Sequence, residues 1–353
     1  MRTTTRPART LAVRLDSAGD VLILGPAVRA MAESGPVDLL VGPGGADAAR
    51  LLPGVDDVHV WTCPWIVADA PRVDERDLAD LVDRLRGRYA HAVVFTSFHQ
   101  SALPTALLLR LAGVGRITAF SEDYPGALLD DRVMPPDDVP EPERALMLAR
   151  HAGFGLPAGD TGELAVRVGQ RSSLRAAGPY VAVHPGTSVP ARGWPRERWR
   201  ECVRMLVAAG RRVVVTGSAS ERDLTHDVAG DAALDLGGRT SFAELAAVIA
   251  GAEALVVANT GPAHLAAAVG TPVVSLFAPT VPAARWAPYR VPSVLLGDQD
   301  APCRGTRAKT CPVPGHPCLG SVHPSEVLDA LDQLAGPPAG TPPDPLRKKE
   351  MQL

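Results

Sequence analysis

One stretch, residues 256–280, constrains the fold of this chain more than any other. It reads VVANTGPAHLAAAVGTPVVSLFAPT. An apolar run ends at the turn Asn259-Thr260-Gly261-Pro262, residues 263–269 have helix-forming composition, Gly270-Thr271-Pro272 stop the helix, and VVSLF begins another apolar run. Pro262 falls where a first helical turn accepts proline. Strand, glycine turn, helix and strand within about 25 residues is close to the length of a tight βαβ unit. Such a turn leaves backbone N–H groups at a helix N-terminus with the positive end of the helix dipole behind them, which is an anion site, most often for phosphate. Thr260 adds a hydroxyl there, and His264 a second donor about one turn on. The competing reading is an ordinary strand-to-helix turn in which Thr260 only caps the helix.

The chain has 353 residues, which suits two domains better than one. Hydrophobic residues make up 46%, enough for two sizeable cores, and the net charge of −3 with mixed signs gives no basic stripe for nucleic acid. No apolar run reaches the roughly 18 residues that cross a bilayer. MRTTTRPART is basic, but it leads into a strand-like LAVRL and not a long apolar core, so it does not read as a signal peptide. Five cysteines, an odd number, argue against a disulfide framework. The expected location is the cytoplasm.

Along the first half, strand-like runs recur at 11–15, 37–42, 55–61 and 91–97, with helical patterns at 21–32, 75–88, 102–111 and 144–151 between and after them. The last of these helices is expected to show an exposed basic side. Alternating strand and helix predicts an open parallel sheet in a doubly wound fold. Ligands of such sheets bind beyond the carboxyl ends of the strands. That edge includes the turn 16–20, where Asp20 is either a helix-start cap or a general base facing a cleft. It also includes the turn 96–100, where His99 and Gln100 are either ordinary loop residues or contacts to a polar substrate.

A mixed Gly, Ser and Arg segment at 157–178 marks the junction. The division read from the sequence is 1–165 for an N-terminal α/β domain, 166–178 for a linker, 179–335 for a C-terminal α/β domain and 336–353 for a disordered tail. The second half opens with the strand YVAVH, runs through Pro185-Gly186-Thr187-Ser188, and continues as helix 196–209, strand 211–218, a helix from 220, a short strand at 233–238 and helix 241–250. Gly210 is placed to end the first of these helices, and Ser241 with Glu244 forms a capping box. Three strand ends therefore carry Gly with hydroxyl residues: PGTS, TGS and NTG. In a parallel sheet all three share one edge, so Thr187, Ser188 and Thr260 can converge on a diphosphate. Arg192 adds a guanidinium suited to phosphate. Glu221, at the next strand end, is either an acid for ribose hydroxyls or a helix-start acid held by the dipole.

With these residues in view, the chain resembles the bacterial heptosyltransferase family, glycosyltransferase family 9, of the two-domain GT-B fold. The motifs are SAGDVLILGPAVRAM, VAVHPGTS followed by ARGWPRERW, GSASE, the long segment from LGGRTSF to FAPT, and CPVPGHPCL. The resemblance implies an α/β architecture of two Rossmann-like domains facing a cleft. It also implies an inverting, metal-independent glycosyltransferase using a nucleotide-diphosphate sugar, usually ADP-heptose, as co-substrate and no cofactor. Asp20 matches the catalytic base. Thr187, Ser188 and Arg192 match phosphate-binding positions, Glu221 the ribose acid, Thr260, Gly261, Pro262, Ala263 and His264 the diphosphate cradle, and Arg239-Thr240 the adenine contact. Ser17, Gly19, His99 and Gln100 fall on the acceptor side. The family's acceptor is lipopolysaccharide core, which would bring peripheral membrane contact without a transmembrane segment; a polyol, an aminocyclitol or another small glycoside is the alternative. Many relatives have Asp where this chain has Asn259, whose amide can still donate and accept to sugar hydroxyls. Rival readings are a GT-B enzyme using UDP- or GDP-sugars, and a non-catalytic nucleotide-sugar-binding relative.

Cys303, Cys311 and Cys318 share a loop with His316 and His323, but without the close Cys pairs of a zinc site. Cys63 and Cys202 read as small core residues, and Trp194, Trp199 and Trp286 as packing anchors, with Trp286 also placed to face the cleft.

Overall fold

The computed structural model describes residues 9–67, 70–97, 99–169, 174 and 178–337. Parts of the expected linker and nearly all of the expected tail lie outside them. The first half contains β1 (Thr10–Arg14), α1 (Ala18–Ile23), α2 (Gly25–Ala32), β2 (Val37–Val41), α3 (Ala46–Leu51), β3 (Val55–Val60), α4 (Glu75–Leu85), β4 (His91–Val94), α5 (Leu103–Leu111), β5 (Arg116–Phe120), β6 (Asp131–Val133) and α6 (Glu141–His151). The second contains β7 (Val181–His184), α7 (Arg196–Ala208), β8 (Val213–Val215), α8 (Arg222–Ala229), β9 (Leu234–Asp235), α9 (Phe242–Gly251), β10 (Ala254–Ala258), α10 (Gly261–Val269), β11 (Val273–Leu276), α11 (Ala283–Trp286), β12 (Ser293–Leu296), α12 (Pro317–Gly320) and α13 (Pro324–Ala335).

Each half builds one six-stranded sheet, ordered β3-β2-β1-β4-β5-β6 and β12-β11-β10-β7-β8-β9, and the pairs are parallel. The central strands are buried along their whole length. They are mostly apolar because helices cover both faces of a parallel sheet, and the charges within them, Arg14 and Asp38, are held in ion pairs. In each sheet the strand order reverses once, between β1 and β4 and between β7 and β10, and these reversals open the crevices in which doubly wound sheets bind ligands. This is the α/β, GT-B architecture that the motifs imply.

Several elements differ from the sequence expectation. The helix expected over 21–32 is two helices, because Pro26 has no N–H and its ring obstructs the preceding turn. Leu24 N–H closes a tight turn on Val21 O instead. The first of these helices begins at Ala18, so Asp20 lies within its first turn. α6 begins at Glu141, and Arg144 is buried rather than on an exposed basic face. Its guanidinium lies 4.5 Å from the Phe120 ring centre and donates to Thr96 O at 2.7 Å. Strands β5, β6 and β12 were not read from the sequence, β6 and β12 being short, and the strand expected over 233–238 is only Leu234–Asp235.

Other details match. Ser241 and Glu244 exchange hydrogen bonds, N–H to Oε2 at 2.7 Å and N–H to Oγ at 3.3 Å. Gly210 (φ 87°) and Gly270 (φ 77°) end their helices in the left-handed region, where glycine carries no Cβ penalty. Trp194 and Trp199 pack edge to face at 5.0 Å in the second core. One apolar cluster crosses between the halves, with Val21, Ala46 and Ala49 on one side and Ile249, Ala263 and Leu265 on the other. Helix α1 packs on α10, and α3 on α9. No helix among the described residues is long and apolar enough to cross a membrane.

Candidate active site

The two strand-order reversals face each other. The carboxyl ends of β1 and β4 present Arg14, Asp16, Asp20, Thr96, Ser97, His99 and Gln100. Those of β7 and β10 present the loop 185–192 and the turn into α10. The N-termini of α1 and α10 meet at two glycines: a Cβ on Gly19 would lie 3.0 Å from Gly261 Cα and 3.3 Å from His264 Cδ2. Absence of a side chain at Gly19 therefore lets the halves close. Two cavities open there. One of about 340 Å³ is lined by Asp16, Asp20, His99, Gln100, Arg192, Trp286, Arg307 and Lys309. The other, of about 60 Å³, is lined by Ser17, Gly19, Asp20, Arg192, Asn259, Thr260, Gly261 and His264.

Asp20 caps its helix start and also lines both cavities. Its Oδ2 accepts from Ser17 Oγ at 2.7 Å and from Ser17 N–H at 3.4 Å, completing the helix cap. Its Oδ1 accepts from Arg14 Nη2 at 2.7 Å. Burial alone would raise the carboxyl pKa, but the Arg14 charge and the Ser17 hydroxyl outweigh it and hold Asp20 below the usual carboxylate range. The group is thus ionised, oriented and on the cavity wall.

Across from it, the first-turn amides of α10 have no intrahelical acceptor. The Thr260 side chain makes no cap hydrogen bond, so the simple capping reading does not hold. Ala263 contributes less than the motif suggests: its methyl is buried in the core, and its N–H turns back to Thr260 O at 3.0 Å. Pro262, in the same first turn, has no N–H to offer. His264 is buried and its Nδ1 has no partner. Burial, reinforced by Arg192 and opposed by Asp20, brings its pKa down to about 4, so the imidazole is neutral at physiological pH. Arg192 reaches Asn259 O at 3.4 Å and keeps a buried Nε without a partner. Asn259 is buried, donating to Ala278 O at 3.4 Å and accepting from Ala278 N–H at 3.3 Å. Its amide ties β10 to the end of β11, although the residue also borders the smaller cavity.

Of the other candidates, Thr187, Ser188, Glu221, Arg239 and Thr240 do not line these cavities. Thr187 Oγ1 accepts from Val189 N–H at 3.2 Å, closing its own turn, and Ser188 is exposed. Glu221 caps the turn before α8, its Oε2 accepting from Ser218 N–H at 2.7 Å, and packs so closely on Gly186 that a Cβ there would overlap its carboxylate. Glu221 therefore sits over the PGTS loop, with His184 Nε2 at 3.9 Å. Arg239 is exposed and Thr240 half-buried, in the loop between β9 and α9. Gln100 borders the larger cavity, but its amide is engaged with Ser97 N–H at 3.0 Å and Asp16 at 2.5 Å. His99 borders the same cavity.

The sequence reading passed over Arg14, Asp16, Arg307 and Lys309. Arg14 carried a visible signal, a charge inside an apolar strand. The other three depend on tertiary placement. The first half holds a further cavity of about 260 Å³, adjoining the cleft through His99 and Gln100 and lined by Thr96, Ser121, Glu122, Asp123 and Arg144. In the Cys303–His323 loop Cys303 and Cys318 are buried beside one another, and burial, with the neighbouring Cys303, pushes the Cys318 thiol up to about 12. Among the described residues the group close enough to share a cation is instead Asp38, Asp57 and His59, where Arg9 already pairs with Asp38.

The chain is 28% identical over 333 residues to lipopolysaccharide heptosyltransferase 1 of Pseudomonas aeruginosa, covering 86% of this chain and 87% of that one. Its fold matches a family 9 glycosyl transferase from Veillonella parvula with a TM-score of 0.73 at 16% identity, covering 94% of this chain and 98% of that one. It also matches an Escherichia coli heptosyltransferase solved with ADP-2-deoxy-2-fluoro heptose, with a TM-score of 0.69 at 21% identity, covering 92% and 99%. Residues 80–316 match the profile of glycosyltransferase family 9 (heptosyltransferase), and the chain belongs to that family as a glycosyltransferase.

Proposed function

We propose that this glycosyltransferase moves a heptose from ADP-heptose to a hydroxyl of a sugar-like acceptor, with inversion and without a bound metal. The observation that carries this reading is the convergence of Asp20 and the α10 N-terminal turn on one cleft. Asp20 takes the proton of the acceptor hydroxyl. The oxygen attacks the anomeric carbon, and the bond to the diphosphate breaks with its electron pair leaving on ADP. Arg192, the Gly261 N–H at the start of α10, the Thr260 hydroxyl and neutral His264 face the charge that develops on the phosphate, the electrostatic contribution that usually dominates such sites. Thr187, Ser188 and Glu221 hold the nucleotide end along the same sheet edge, and Arg239-Thr240 meet the base. The Escherichia coli relative solved with an ADP-heptose analogue supports the donor class.

The acceptor enters from the first half, past Ser17, Gly19, His99 and Gln100, and extends toward the 260 Å³ cavity. That cavity carries Glu122 and Asp123 against one buried arginine, which favours a polyol or amine-bearing glycoside. A lipopolysaccharide core is the other acceptor, by likeness to the Pseudomonas aeruginosa relative. The enzyme works in the cytoplasm.

Calorimetric titration with ADP, UDP and GDP, each with and without EDTA, is the first test. ADP preference that survives EDTA supports the proposal. UDP or GDP preference moves the donor assignment, and loss of binding in EDTA removes metal independence. NMR of the glycoside formed from ADP-heptose then decides between inversion and retention.

A further inference from the structure

Arg14 is an almost fully buried charge, at 2% exposure, and the proposed reaction gives it no role. It stands at the end of β1 with two carboxylates on it. Its Nη2 donates to Asp20 Oδ1 at 2.7 Å and to Ser97 Oγ at 2.9 Å. Its Nε stands 2.8 Å from Asp16 Oδ2, at an angle that makes an ion pair rather than a hydrogen bond. Asp16 is fixed in turn by the Gln100 amide at 2.5 Å and the Ser97 hydroxyl at 3.4 Å. One guanidinium is therefore shared between the residue placed as base and a second carboxylate that is locked from behind.

We infer that Arg14 and Asp16 are positioning residues that set the orientation and basicity of Asp20; the inference rests on Asp20 being the base. Arg14 fixes the carboxylate by one oxygen, and Ser17 by the other. Alone, so close a buried cation would make Asp20 a poor proton acceptor, and would be stranded without a counter-ion once Asp20 took the proton. A buried charge that loses its partner is strongly unfavourable. Asp16 relieves both problems: it draws on the same guanidinium before proton transfer and remains its partner afterwards. A guanidinium presents its donors in a fixed planar fork toward both carboxylates and the hydroxyl, whereas an ammonium is a compact point charge on a flexible stem and fixes none of them in orientation. Asp20 also faces His264 from α10, Arg192 from the 185–192 loop, Glu141 from α6 and His99 from the β4 loop. Those groups stay the same in every variant of the test.

The test is a carboxyl NMR titration of protein labelled at aspartate Cγ, with the Asp20 signal assigned by its loss in Asp20→Asn. In the wild type the Asp20 signal stays that of a carboxylate down to pH 4. Arg14→Met brings its midpoint up by roughly one unit or more, the size expected for removing a close opposite charge, and Arg14→Lys, which keeps a charge but loses the fork that holds Asp20, brings it up by less. Asp16→Asn leaves no titration above pH 4 and lowers turnover of ADP-heptose, because the base is now weaker. Ser97→Ala, which removes only the hydroxyl seating Nη2, gives a smaller rise and serves if the Arg14 variants do not fold. Unchanged Asp20 titration in the Arg14 variants or in Ser97→Ala, or a raised midpoint in Asp16→Asn, overturns the inference. Retained turnover in Asp20→Asn instead removes the base reading on which it rests, and the titration distinguishes the two failures.

Discussion

Asp20 is held by three hydrogen bonds from Arg14 and Ser17, and its replacement separates chemistry from binding. Asp20→Asn keeps the side-chain shape and should lower turnover by roughly 100- to 10,000-fold, the range for a lost general base. ADP affinity by calorimetry should stay near wild type. Asn259 makes the opposite point, because its amide serves the fold. Asn259→Asp keeps an acceptor for Ala278 N–H but sets a carboxylate against Ala278 O, and should cost about 1–3 kcal/mol in denaturant unfolding. His264 gives a pH dependence with a definite sign. Its folded-state pKa, near 4 against the ordinary 6.5, means that only the unfolded chain binds the proton between those values. Stability is then fully present above pH 6.5 and falls as pH drops toward 4, by about 3 kcal/mol at most. In His264→Gln that part of the fall should disappear from the pH dependence of Tm.

At the scale of elements, the contact of α1 with α10 decides whether the two edges make one site. In an isolated helix Ala is better than Gly by about 1 kcal/mol, and Gly19 has no positive φ to require glycine. What requires it is the close approach of Gly261, whose Cα would lie 3.0 Å from a Cβ added at position 19. Gly19→Ala should therefore weaken ADP binding and turnover while leaving far-ultraviolet circular dichroism unchanged. Gly261→Ala meets nothing closer than 3.5 Å and should be tolerated far better. The same scale explains the split between α1 and α2. Pro26 ends the first helix after six residues, which keeps Asp20 in a short element seated against Arg14.

For the whole molecule, an apolar cluster spans both halves and is flanked by polar contacts from the second half to the first. Arg285 Nε reaches Asp138 at 2.6 Å, and the Tyr289 hydroxyl donates to Glu143 at 3.0 Å. Exposed pairs of this kind contribute about 1 kcal/mol or less, so the shared apolar core dominates the coupling. Scanning calorimetry should show one transition for both sheets rather than two. Two separate transitions would mean that the halves unfold independently.

The sequence by itself determined the element alternation, the parallel sheets, the glycine turn into α10 and the identity of the acid at Asp20, because these follow from local periodicity, capping chemistry and short motifs. It also placed Asn259, Thr260 and His264 together, since they share one turn. Only the tertiary structure decided what those groups face. Arg14 was one charge in an apolar run until β4 brought Ser97 and Gln100 beside it. Gln100 was open between a loop role and a substrate contact, and the fold engages its amide with Asp16 at the border of the larger cavity. Asn259 had an amide able to serve sugar hydroxyls, and the end of β11 brings Ala278 to it. The edge strands β6 and β12 went unread for a related reason: short edge segments owe their pairing to neighbours far away in sequence, and local pattern carries no record of a partner. Side-chain contacts across a parallel sheet join residues tens of positions apart, so the fold decides which polar groups are spent on structure and which remain for a ligand.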